Sequence, residues 1–90
     1  MKYKEQASLL KVSREGRGLS QCEVGKKLGF ASGAQYVSNM ERGASPIAPR
    51  HMAALAKMLG VHLDHWVDAY LKDVKSIVML EIAKSRRKRG

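Results

Sequence analysis

The sequence predicts an all-α domain of five helices, and three observations lead there. Glycine and proline cut the chain into helix-length pieces: Gly16 and Gly18, Gly29 and Gly33, Gly43 with Pro46 and Pro49, then Gly60. Apolar residues within those pieces recur at i, i+3 and i+4, and no stretch alternates long enough for a strand. Two pieces open with Ser-x-x-Glu or Ser-x-x-Gln, the pattern in which side chains reciprocally satisfy the free amides of a helix start.

Helix one is expected from Lys4 to Glu15, with Leu9 and Val12 inward and Ala7 and Leu10 nearby. Helix two opens at Ser20-Gln21-Cys22-Glu23, puts Val24 and Leu28 on one face, and stops at Gly29. Helix three opens at Ser32-Gly33-Ala34-Gln35, buries Val37 and Met40, and stops at Gly43. Helix four has Pro49 in its first turn, where a missing amide does no harm, then Met52, Leu55, Ala56 and Leu59 before Gly60. After Gly60 no breaker appears until Gly90. Leu63, Trp66, Val67, Tyr70, Leu71, Val74, Ile77 and Val78 follow helical spacing along this last piece.

That apolar run is longer than four short helices can cover, so the surplus surface implies a partner. Two readings of Ile77 to Ile82 compete: a helical dimer seam, or a β-branched strand that pairs with its copy. The dimer face is assigned to Leu71, Val74, Ile77 and Val78. The organisation expected is a DNA-binding unit over 1–62, a dimerisation helix over 63–83 and a basic tail over 84–90, solvated and disordered in the free protein.

Composition narrows the function. Ninety residues, 44% apolar and 28% charged, make one small globular domain. No apolar run approaches the ~20 residues of a membrane span, and the first residues lead into no signal-peptide core, so a soluble, cytoplasmic protein is expected. One cysteine, Cys22, permits neither an intrachain disulfide nor a multi-cysteine zinc site, and is read as a small packing residue. His51, His62 and His65 do not converge on a metal pattern; no metal, cofactor or catalytic motif is expected. The net charge of +9 favours a polyanionic partner, nucleic acid before anionic membrane.

The informative stretch is Gly18 to Val61: a short helix, a glycine-containing turn, and a second short helix with polar outward positions. Gly25 is the small residue where the two helices must cross closely, and Val24, Leu28, Val37 and Met40 supply their shared core. Here the chain resembles the lambda-repressor-like, XRE-type helix-turn-helix family. The residues that carry the resemblance are Gly18-Leu19-Ser20-Gln21, Val24-Gly25-Lys26-Lys27-Leu28-Gly29, Val37-Ser38-Asn39-Met40-Glu41-Arg42-Gly43 and Leu55-Ala56-Lys57-Met58-Leu59-Gly60-Val61, in that order. The turn from Gly29 to Gly33 and the loop from Ala44 to Ala48 are longer than is usual in the family, and the last helix extends past its core.

The resemblance implies that helix three enters the major groove of double-stranded DNA. By position, Ala34, Gln35 and Asn39 fall where the family reads bases, and Gln21 and Arg42 where it meets phosphate. The chemistry suits this: Gln and Asn bond adenine bidentately, and Ala34 suits a thymine methyl. Tyr36 suits a sugar, thymine or phosphate, and Ser38 is small enough to let the helix approach. Lys26 and Lys27 are further phosphate candidates. Plainer roles stand beside these: Gln35 completing a capping box, Asn39 solvated, Tyr36 leaning on the domain, and Glu41 structural and turned toward the core or another arginine. Trp66 and Tyr70 are read as packing on the helical body.

The function expected is a homodimeric, sequence-specific regulator, in the first place a repressor, at a near-palindromic operator. One rival is an antitoxin that binds DNA and holds a toxin through its C-terminal segment. Another is an interaction adaptor that reads no bases. A membrane-surface role for the tail is the weakest.

Overall fold

The computed structural model describes residues 1–88 and the side chains of 1–86; the end of the basic tail, residues 89–90, lies outside the described residues. Five α-helices follow in order: α1 Lys4–Gly16, α2 Gln21–Lys27, α3 Gly33–Glu41, α4 Pro49–Leu59 and α5 Leu63–Lys88. Among the described residues there is no strand. The strand alternative for Ile77 to Ile82 is therefore corrected: these residues continue α5. Residues 84–88 are helical as well, so the basic segment as far as Lys88 extends α5 instead of forming a disordered tail.

Local chemistry sets most boundaries. At α2 the capping box forms: the Glu23 amide donates to the Ser20 hydroxyl at 3.0 Å, and the Ser20 amide to the Glu23 carboxylate at 2.9 Å. Those bonds hold the pKa of the Glu23 carboxyl below its ordinary value. The second predicted box does not form. Ser32 precedes α3 without a side-chain cap, and the Gln35 carboxamide turns along the helix toward Asn39 instead. Pro49 opens α4, and Gly60 closes it in the left-handed conformation at φ 68°, which glycine alone adopts without strain.

Leu10, Val24, Val37, Met40, Ile47, Met52, Leu55, Leu59 and Trp66 form one core drawn from every helix and the α3–α4 loop. Trp66 is 1% exposed, and its indole N–H donates to the Val61 carbonyl at 3.3 Å, which satisfies the ring's one polar atom. On α1 the inward face is Gln6, Ala7 and Leu10, with Leu9 at its edge. Val12 is a correction to the expected Leu9–Val12 pair: it is 67% exposed. Cys22 is likewise exposed and does not pack inside.

What turns α1 this way is a contact between distant parts of the chain. Tyr3, before α1, offers no cap of its own. The Asp73 carboxylate of α5 replaces it, accepting the Glu5 and Gln6 amides at 2.9 Å each and the Gln6 side-chain N–H at 3.0 Å. An anion at a helix N-terminus is favoured both by free amides and by the helix dipole. Gln6 Oε1 then accepts the Ile47 amide at 2.7 Å, so one buried chain of bonds joins α5, α1 and the α3–α4 loop.

Beyond Asp73, the last buried residue of α5 among the described side chains, fifteen helical residues continue to Lys88. At ~1.5 Å per residue they reach about 22 Å. They account for much of the 50 Å long axis of a molecule only 26 and 21 Å in the other directions. No helix among the described residues is long and apolar enough to cross a membrane.

α2 and α3 approach each other backbone to backbone. A Cβ placed on Gly25 would stand 2.1 Å from the Gly33 carbonyl oxygen. Neither backbone can yield without parting the two helices. Gly25→Ala is expected to lower stability by ~2 kcal/mol or more in urea unfolding. Gly16→Ala, with nothing within 4 Å, should stay within a few tenths of a kcal/mol of the parent.

Candidate nucleic-acid interface

α3 is divided lengthwise. At ~100° per residue, Gly33, Val37, Met40 and Glu41 fall on one side, and all four are buried. Ala34, Gln35, Ser38, Asn39 and Arg42 fall on the other. Ala34, Gln35 and Arg42 are exposed, and Ser38 and Asn39 half-buried. The outer side carries its own network. Gln35 Nε2 donates to Asn39 Oδ1 at 3.3 Å, and the Arg42 guanidinium donates to the same oxygen. Three predicted contact residues are thus drawn into one line along the helix. The Asn39 amide N–H2 and the Gln35 carbonyl make no bond among the described residues, and a donor and an acceptor are what a base edge requires.

Tyr36 stands away from this line, toward the Met40 side. Its ring stacks on Phe30 with centroids 4.3 Å apart and planes 19° apart. Phe30 in turn meets His51 edge-on at 5.1 Å. So the ring of Tyr36 leans on the domain, and part of it stays exposed. The longer turn between α2 and α3 supplies that support, since Phe30 lies in it. Burial holds the His51 imidazole below its ordinary pKa, with Arg50 adding to the shift. Phe30, Tyr36, Met40, Pro46, Arg50 and His51 line a shallow cleft of about 230 Å³ at the first turn of α4. Neither Phe30 nor Arg50 stands out in the sequence. The basic pair after Pro49 is the only available signal for the second.

Glu41 is the single acid of α3, and it faces inward. Arg14 of α1 donates to it through Nε at 2.5 Å and through a second guanidinium nitrogen at 3.0 Å. The third nitrogen of Arg14 donates to the Leu19 carbonyl at 2.7 Å. The Glu41 bond raises the arginine's pKa above its usual value. Side-chain exposures of 12% and 4% leave Glu41 buried and Arg14 at the edge of the interior. Glu41 is structural, as expected, and Arg14 is its partner. Gln21, the first residue of α2, also donates to Glu41, at 3.0 Å. The carboxamide expected at a phosphate is therefore braced from inside, and its second N–H has no partner among the described residues.

Lys26 and Lys27 are exposed in the last turn of α2. Arg42 and Arg50 are exposed as well, and Arg50 lines the cleft beside Tyr36 and Met40 of α3. No group of three His, Cys, Asp or Glu side chains is placed to hold a metal among the described residues.

Removing Arg14 leaves Glu41 charged and buried. Arg14→Leu is expected to cost about 3–5 kcal/mol in chemical unfolding, and Arg14→Leu with Glu41→Leu to recover part of that loss.

A search of curated proteins and of solved structures finds no match. A family model described as helix-turn-helix matches residues 10–66, a span that runs from the middle of α1 through α2, α3 and α4 into the first turn of α5. The chain belongs to the lambda-repressor-like, XRE-type helix-turn-helix family of DNA-binding proteins.

Proposed function

We propose that this protein is a sequence-specific transcriptional regulator that binds a near-palindromic operator as a homodimer, with α3 in the major groove. The observation that carries the reading is the outer side of α3. Ala34, Gln35, Ser38, Asn39 and Arg42 lie along it, and the helix's one acid is turned inward onto Arg14. A groove lined by phosphates tolerates such a face and repels an outward carboxylate. Gln35 and Asn39 read adenine, Ala34 meets a thymine methyl, and Ser38 allows close approach. Arg42, Lys26 and Lys27 meet phosphate, joined by the free N–H of Gln21. Tyr36, stacked on Phe30, touches the edge of the site from a fixed position.

Control then comes through occupancy, and repression by blocking a promoter in the cytoplasm is the simplest mechanism. The second copy is held through α5, where Leu71, Val74 and Val78 are exposed while Ile77 turns half-buried toward Met1 and Lys2.

Selection of sites from a random duplex pool at near-physiological salt tests the reading. The expected product is a palindrome whose half-sites lie about one helical turn, ~10 bp, apart. Binding that falls with salt and enriches no sequence would overturn it in favour of the adaptor. On the enriched site, Gln35→Ala with Asn39→Ala is expected to weaken binding by ~2 kcal/mol or more while leaving random-duplex binding nearly unchanged. Equal loss on both would remove the base-reading role. Leu71→Glu with Val78→Glu should give a monomeric mass in light scattering and weaken operator binding about a hundredfold.

A further inference from the structure

α5 carries two apolar stripes. Trp66, Ala69 and Asp73 share one side of the helix and are buried against the body. Val67, Leu71, Val74 and Val78 lie about 140° round from that side at ~100° per residue, and all four are exposed. Their spacing of four, three and four is the repeat of a two-stranded helical seam. Ile77 falls between the two sides, at the rim of this stripe and not in it.

We infer that the stripe is covered by the same stripe of a second copy running antiparallel. Val67 of each copy then meets Val78 of the other, and Leu71 meets Val74. The inference rests on the dimeric regulator proposed above and adds the geometry of its interface.

Three observations bear on this arrangement: register and space admit it, and charge selects antiparallel over parallel pairing. The first is register. With the twofold axis midway between Leu71 and Val74, antiparallel pairing matches all four apolar residues under that single axis, as a closed dimer requires. The second is charge. Asp68, which pairs with Lys72 one turn along its own helix at 3.1 Å, and Lys75 flank the stripe on the same edge, and antiparallel pairing adds Lys75 of the other copy opposite that carboxylate. Parallel pairing brings no such match, and it lays the basic residues Lys84, Arg86, Arg87 and Lys88 beside their own copies. Antiparallel pairing carries those residues to opposite ends. Asp64 and Glu81 end the stripe, and they meet an acid in either orientation, so they do not discriminate. The third is space. Because the stripe points away from the buried side, the two bodies sit on opposite outer sides of the paired helices and leave the seam open.

Cysteine cross-linking reads the orientation directly. In a Cys22→Ser background, Val67→Cys and Val78→Cys are made singly. In the antiparallel pair, like positions are 11 residues out of step, ~16 Å along the axis at about 1.5 Å per residue. That is beyond the reach of a disulfide. Neither variant alone should link on mild oxidation, whereas about half of an equilibrated equimolar mixture, the fraction present as mixed dimers, should run as a covalent dimer. Linking of either single variant by itself would establish parallel pairing and overturn the proposal. Failure of the mixture to link, with the parent chain dimeric in light scattering, would place the interface elsewhere and also overturn it, while the dimeric regulator would stand. A monomeric parent would overturn both.

Discussion

The pair of Arg14 and Glu41 is the contact on which the placement of the outer side of α3 depends. It joins α1 to α3 through two hydrogen bonds, and through Leu19 and Gln21 it reaches the start of α2. An ion pair at this depth contributes little to net stability, because removing two charges from water costs about as much as their attraction returns. Its value here is directional. A planar guanidinium with three occupied nitrogens accepts few alternative placements of the helices around it. It also turns the one carboxylate of α3 away from the side that would meet phosphate. A hydrophobic pair could hold the helices together, but it would not fix the angle of Gln21 to α3.

The crossing of Gly25 over Gly33 sets the remaining degree of freedom. With no side chain at either position, the two backbones touch, and α3 cannot rise from α2 without losing that contact. Phe30 then supports α3 from the flank through Tyr36. The outer line of Gln35, Asn39 and Arg42 is thus carried on a helix held from below, behind and beside. Their mutual hydrogen bonds restrict the rotamers of all three, which would lower the entropy lost if the proposed DNA contact forms.

Features governed by neighbours in sequence are legible there, and those governed by distant neighbours are not. Helix order, the Ser20–Glu23 cap, the stop at Gly60 and the close crossing at Gly25 follow from short-range chemistry. The Ser32–Gln35 box matches the same pattern, but Gln35 has a competing acceptor one turn along in Asn39, and no local rule ranks the two. Val12 suits the inward face of α1 as well as Leu10 does. What decides between them is Asp73, 67 residues from Gln6 along the chain, whose carboxylate fixes the rotation of α1 about its axis. In the sequence Asp73 reads as an interruption in an apolar stripe. Of the interface, the residue types on α3 are visible in the sequence. The stack that takes Tyr36 aside is not, because Phe30 comes from a turn and His51 from another helix.

α5 shows why a single periodic stripe is the wrong description of a long helix. Its apolar residues belong to two faces with different tasks. Trp66, Ala69 and Tyr70 close the body, and the buried acid Asp73 locks that closure to α1. Val67, Leu71, Val74 and Val78 point elsewhere and stay exposed. The two tasks are mechanically coupled, since the same rigid rod carries both. The Asp73 cap fixes the rotation of α5 against the body, and that rotation decides the direction in which the second stripe points. Any partner docked on the stripe is therefore held at a set angle to α1, and through Arg14 and Glu41 at a set angle to α3. The spacing between two reading helices in a dimer would follow from this chain of contacts, without any linker that must be ordered on binding.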